Sequence, residues 1–235
     1  MEFVLLFVDR RDEPPQAPLD PEEMGKYAAE LRQSGALRLA AGPLRPESEG
    51  ARVRVRDGRA LVTDGPFAEA REVVAGFFAL EVADRAAALE VALACPFARA
   101  GTVELRAGRV LRGGPASGAP QFLLLYLLER GAPIPDEARI RQGMAEMRAF
   151  TDGLQQQGAY LGDGALPPQL PAARLTSRRG RVAVVDGPFA ESKEVIAGFA
   201  LVQAAGRAEA LAIAKAVPHA AWGAVELREV AQLRR

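Results

Sequence analysis

The chain of 235 residues has one cysteine, one histidine and one tryptophan. A lone cysteine, Cys95, excludes an internal disulfide framework and fits a reducing compartment. One histidine and one cysteine cannot build a zinc or copper site, and no loop signature for a carboxylate-only Mg²⁺ or Ca²⁺ site is present, so no cofactor or metal is expected. Net charge is lacking too: thirty basic residues cancel thirty acidic ones. Nucleic-acid binding needs a basic excess to release counterions, and that excess is missing. No apolar stretch approaches the roughly 18 residues of a membrane span. The opening MEFVLLFVDRR has no basic segment before its apolar run and reads as a first strand rather than a signal peptide. No phosphate-binding loop, dinucleotide fingerprint or Gly-x-Ser-x-Gly elbow occurs. These absences point to a cytoplasmic protein with neither a nucleic-acid nor a membrane partner.

What is present is written twice. VTDGPFAEAREVVAGF (62–77) returns as VVDGPFAESKEVIAGF (184–199). From Asp64 to Arg106, set against Asp186 to Arg228, 25 of 43 positions are identical without a gap. EFVLLFVD (2–9) answers QFLLLYLL (121–128), and the segment 27–46 answers 150–168. The Gly, Pro and Ser of AGRVLRGGPASGAP mark the join. We therefore expect domain-sized copies at 1–108 and 120–235, with a linker at 109–119.

Each copy carries the same pattern. A short apolar strand opens it, and a helix follows. In the first copy Asp20-Pro21-Glu22-Glu23 supplies an N-cap, a proline at the first helical position and a capping-box glutamate. In the second, Ile140, Met144, Met147, Phe150 and Leu154 keep helical spacing until Gly158. Alternating segments around Asp57-Gly58 and Arg179-Gly180 predict hairpins. A strand, an alanine-rich helix and a closing strand (GTVELR or GAVELR) complete each copy. The order is β-α-β-β-α-β plus a hairpin strand, an α+β plan with antiparallel sheets.

The repeated DGPF block, the AGF strand after it and the closing PHAAWGAVELREV resemble the DGPF, or YCII-related, family. The resemblance implies a bacterial source and two ferredoxin-like domains of the dimeric α+β barrel type. Single-domain members pair through their sheets, so the chain looks like a fused, intramolecular pseudo-dimer that runs as a monomer. It also implies a histidine–aspartate pair in a cleft. Here only His219 with Asp186, or with Asp64, matches, and the first copy has Phe97 in place of His219.

Two readings of the repeated acids stay open. Asp64 and Asp186 suit a turn, since aspartate accepts backbone N–H bonds and proline fixes the next φ, while Phe67 and Phe189 plug a core. Alternatively the turns border a cleft walled by Asp64, Glu69, Arg71, Glu72, Glu191, Lys193 and Glu194, with Trp222 beside His219. Strand spacing puts Glu69 and Arg71 on one face and Glu72 on the other. Cys95 reads as core, and Arg174, Arg178, Arg179 and Arg181 as a solvated hairpin tip. The residues favour a small-ligand-binding or regulatory module. A small-molecule enzyme using His219 and Asp186 as acid and base is the competing reading.

Overall fold

The structure, a computed structural model, describes residues 1–11, 14–67, 72–133, 135–178, 181–186 and 194–231. In chain order the elements are β1 (Glu2–Arg10), α1 (Pro21–Gln33), β2 (Leu37–Ala41), β3 (Ala51–Arg56), β4 (Arg59–Asp64), β5 (Glu72–Glu81), α2 (Arg85–Ala94), α3 (Phe97–Ala100) and β6 (Thr102–Ala107). The series then runs β7 (Arg109–Arg112), β8 (Gln121–Glu129), α4 (Glu137–Gln156), β9 (Tyr160–Ala165), β10 (Ala172–Arg178), β11 (Arg181–Asp186), β12 (Glu194–Gln203), α5 (Arg207–Ala216) and β13 (Ala224–Glu229). A short 3-10 helix, Pro218–Ala221, precedes β13. The protein is α+β, with two antiparallel sheets. Strand β7 lies inside the stretch expected as a linker. No helix among the described residues is long and apolar enough to cross a membrane.

Local signals in the sequence have their expected physical outcomes. Asp20 caps α1 through a 2.9 Å bond from the Glu22 N–H, with Pro21 at the first position. Glu23, by contrast, turns away from the cap to Arg99. Asp57 (φ 51°) and Gly58 (φ 72°) are both left-handed, the two-residue turn whose twist matches its flanking strands. In α4, Leu154 is buried but Met144 is 65% exposed, so only the C-terminal half of the expected apolar stripe packs.

The compact units do not follow the repeats. Unit 1 combines Met1–Leu44, Glu69–Val110 and Leu166–Ser192; unit 2 combines Arg45–Ala68, Leu111–Ala165 and Lys193–Arg235. Unit 1 has the strand order β11-β10-β6-β1-β5-β2, and unit 2 the order β4-β3-β13-β8-β12-β9-β7. The first repeat's hairpin, β3–β4, thus completes the second repeat's sheet, with Arg52 opposite Glu226 and Val53 opposite Val225. Reciprocally, β10 lies on β6, with Arg174 opposite Glu104 and Leu175 opposite Val103.

In unit 1, Phe3, Leu5 and Phe7 of β1 share a core with Ala28 and Leu31 of α1 and with Ala88 and Ala92 of α2. The alanines of α2 let that helix lie close to the strands. Cys95 is in the same core, and burial pushes its thiol pKa up to about 11. Unit 2 repeats the arrangement with Phe122, Leu124 and Tyr126 of β8, Leu154 of α4, and Ala210 and Ala214 of α5. On the opposite strand face, Val4, Leu6 and Phe77 in unit 1 and Leu123, Leu125 and Phe199 in unit 2 are also buried.

Candidate functional site: a twice-built arginine–glutamate row

The polar side chains that the fold gathers sit on the strand face away from the helices. Across unit 1 the register runs Arg174, Glu104, Leu6, Phe77; across unit 2 it runs Arg52, Glu226, Leu125, Phe199. A bulge adds one more acid to each row. Glu72 is five residues from Phe77, so a regular strand would send the two to opposite faces. The pairing shifts between Phe7 and Val8, and again between Ile196 and Gly198, which turns Glu72 and Glu194 onto the face of the row. Glycine is required at both bulges: a Cβ on Gly76 would lie 2.8 Å from the Ala41 carbonyl oxygen, and one on Gly198 would lie 2.6 Å from that of Gly164.

In unit 2, Arg52 donates from Nε and Nη2 to Oε2 of Glu226 at 3.0 and 2.8 Å, and from Nη1 to Glu194 at 2.9 Å. Arg54 donates to the other oxygen of Glu194 at 2.7 Å, and Arg228 to Oε1 of Glu226 at 3.3 Å. In unit 1, Arg174 donates to Glu72, and Arg106 to Glu104 at 3.1 Å. Burial raises the pKa of Glu104, against the opposing pull of Arg106. Arg174 is therefore no solvated tip residue: its side chain is 15% exposed and held in an ion pair. Half-buried guanidinium–carboxylate contacts of this kind are shorter and stronger than neutral hydrogen bonds.

The DGPF turn abuts the row in unit 2. Phe67 is buried, its N–H donates to Oε1 of Glu47 at 3.3 Å, and the Arg52 guanidinium lies 4.2 Å from its ring centre. A Cβ on Gly65 would lie 2.0 Å from the Glu47 carbonyl oxygen, so the turn needs its glycine. Asp64 takes a 2.6 Å bond from Arg207 at the start of α5, and Asp186 takes the equivalent bond from Arg85 at the start of α2. Both aspartates are exposed. Their shared task is to clip an exchanged hairpin to the first residue of a helix from the other repeat.

His219 lies in unit 2, with its ring stacked on Tyr126 at 5.3 Å. Nε2–H donates to the Leu127 carbonyl at 3.0 Å, and burial lowers the imidazole pKa. Asp186 belongs to unit 1, with Arg85 as its described partner, so no described contact joins the two as acid and base. Trp222 rests on Gly143 of α4, where a Cβ would lie 2.5 Å from the indole, and Arg139 sits 4.4 Å from the centre of its ring. Glu69, Arg71, Phe189, Glu191 and Lys193 lie outside the described residues. Sequence reasoning passed over Arg52, Glu104, Arg106, Glu226 and Arg228. The available signal was VELR, whose alternate charged residues stand unchanged in both closing strands.

Comparison with known proteins decides the family. The YCII-related domain matches residues 1–110 and again 125–234. The chain belongs to the YCII-related family, in two tandem copies. A protein of Rhizobium meliloti (strain 1021), named as the uncharacterized protein R00369, is 41% identical over 68 residues, 28% of this chain. The match spans about half, 55%, of that relative's length. In this YCII-related chain the twofold family match coincides with the twofold appearance of the arginine–glutamate row.

Proposed function

We propose that the chain is a non-catalytic small-ligand-binding or regulatory module that takes a small organic acid at its arginine–glutamate rows. The observation that carries this reading is the repetition of the row. Each unit holds it half-buried, with Arg52 or Arg174 brought in on the other repeat's hairpin. A planar guanidinium fork matches a carboxylate in two parallel bonds, and a ligand acid competes with Glu194 or Glu72 for it. The fold behind this proposal is a pair of ferredoxin-like sheets, β6-β1-β5-β2 and β13-β8-β12-β9, of the dimeric α+β barrel type. Their apolar faces away from the helices would cover each other in an intramolecular pseudo-dimer, giving a cytoplasmic monomer. The buried state of Leu6, Phe77, Leu125 and Phe199 supports that pairing.

The competing enzyme reading, with His219 and Asp186 as acid and base, has no supporting contact among the described residues. Titration with acetate, succinate and benzoate, followed by amide chemical shifts, tests the proposal. Saturable shifts in the rows that vanish in Arg52→Ala and Arg174→Ala are expected. Folded wild-type protein that binds none of these acids would overturn it.

A further inference from the structure

The helix-side cores of the two units differ at one place. In unit 1 the ring of Phe7 meets Phe78 edge-on at 4.9 Å and Phe97 at 5.1 Å. The repeat and the strand register map these onto Tyr126, Ala200 and His219 in unit 2. The residue opposite Phe78 is Ala40, whereas the residue opposite Ala200 is Asp163. Leu37 likewise becomes Tyr160, and Ala100 becomes Trp222. Where unit 1 has three hydrocarbon rings, unit 2 thus has a phenol, a methyl group and an imidazole, with a carboxylate set beside the methyl. The indole added at Trp222 rests on Gly143 of α4.

Polar groups set in a core are costly unless they serve something. The Tyr126 side chain belongs to the core of unit 2, and its buried hydroxyl has no hydrogen-bond partner among the described residues. An orphaned buried hydroxyl costs roughly 1–3 kcal/mol, and natural cores rarely keep one. Directly opposite residues in a sheet share a face, so Asp163 projects to the side of Ala200, where no phenylalanine ring fills the core. Its carboxylate acts across space on the Tyr126 hydroxyl and accepts a hydrogen bond from Tyr160. His219 gives its Nε2–H to Leu127, which leaves the Nδ1 lone pair as its accepting atom. Gly223 makes room for that bond, since a Cβ there would lie 2.0 Å from the Leu127 oxygen.

We propose that Tyr126, Asp163 and His219 form a binding site for the ammonium group of a small primary amine, in unit 2 alone. Every polar group of the set can accept a hydrogen bond: the phenol oxygen, the carboxylate and the imidazole nitrogen. The charge in the set is the aspartate's, since burial favours the neutral imidazole. Aromatic faces beside a carboxylate are suited to a small cation. Unit 1, with three phenylalanines and Ala40, has no means of doing the same.

The test is titration of the full chain with ethylammonium, followed by amide shifts and by the fluorescence of Trp222, the only tryptophan. Ethanol and acetate serve as controls. Saturable shifts around Tyr126 and Ala200, weakened at least tenfold in Tyr126→Phe and in Asp163→Asn, are expected. Tyr126→Phe places in unit 2 the residue that unit 1 carries, so its folding is secure even if Asp163→Asn misfolds. No response to ethylammonium, an equal response to ethanol, or undiminished binding by Tyr126→Phe would each overturn the proposal. Arg52→Ala and Arg174→Ala leave this response unchanged, which separates the amine site from the acid-binding rows.

Discussion

Unit 1 wedges the ring of Phe7 between Phe78 and Phe97, whereas unit 2 sets Tyr126 among Ala200, His219 and Asp163. On the opposite strand face the two units keep the same arginines and glutamates: Arg174 and Arg52, Glu104 and Glu226, Arg106 and Arg228, Glu72 and Glu194. The two units thus share the chemistry of the charged face and differ in that of the greasy face. A retained polar row is what shared structure or shared ligand chemistry requires. A core that carries three polar groups in one unit alone is what an unshared task requires.

The comparison can be broken most forcefully in the phenylalanine cluster. Phe78→Ala removes a ring from a packed core and should cost about 3–5 kcal/mol in urea unfolding. The equivalent position in unit 2 is already Ala200. A loss below about 1 kcal/mol would mean that the aromatic cluster of unit 1 is not the packing anchor described. Next come the rows. Arg52→Ala strands Glu226 and Glu194 without their main guanidinium and should cost about 3 kcal/mol. Arg207→Ala, which only releases exposed Asp64, should cost at most about 1 kcal/mol. Similar losses for the two would show that the row is no more than a surface ion pair.

The hydroxyl exchange is a subtler probe. Tyr126→Phe should stabilise the ligand-free protein, and Phe7→Tyr should destabilise it, each by about 1–3 kcal/mol. The smallest effect is in pH. The folded-state pKa of His219 lies below the ordinary 6.5, because burial disfavours the imidazolium. The unfolded chain therefore binds the proton more readily, and the stabilising contribution is whole above pH 6.5 and lost as pH falls through the folded value. In thermal melts the wild type should lose stability relative to His219→Phe as pH falls from 7 to 5, while the difference between the two stays constant above pH 7. Parallel curves would mean that the ring is accessible to solvent.

Much of the fold was legible in the letters. The duplication fixed the order of elements, Asp57-Gly58 marked a hairpin, and Asp20-Pro21 marked a helix start. The destination of the hairpins was not legible, for a physical reason. Strands β6 and β13 offer nearly the same letters, TVELRA and AVELRE, so β3 and β10 meet equivalent edges in either repeat. Local pattern cannot rank two docking edges so alike.

The site was legible only in part. Glu72 and Glu194 were picked out by their repetition, but their side of the sheet depends on a bulge that no periodicity announces. Arg174 looked like one more charge on a basic tip, because the glutamate that buries it lies on a strand 102 residues away in sequence. His219 stood out as the sole histidine. Its partner turned out to be a backbone carbonyl, which no side-chain motif encodes.

The arginine–glutamate rows depend on the reciprocal exchange of hairpins between repeats. Methyl–methyl nuclear Overhauser contacts on selectively labelled protein test it most directly. The exchange predicts contacts between Val53 and Val225 and between Leu175 and Val103, which face each other in register. Contacts joining Val53 to Val103 and Leu175 to Val225 instead would put each hairpin back on its own repeat and contradict the account.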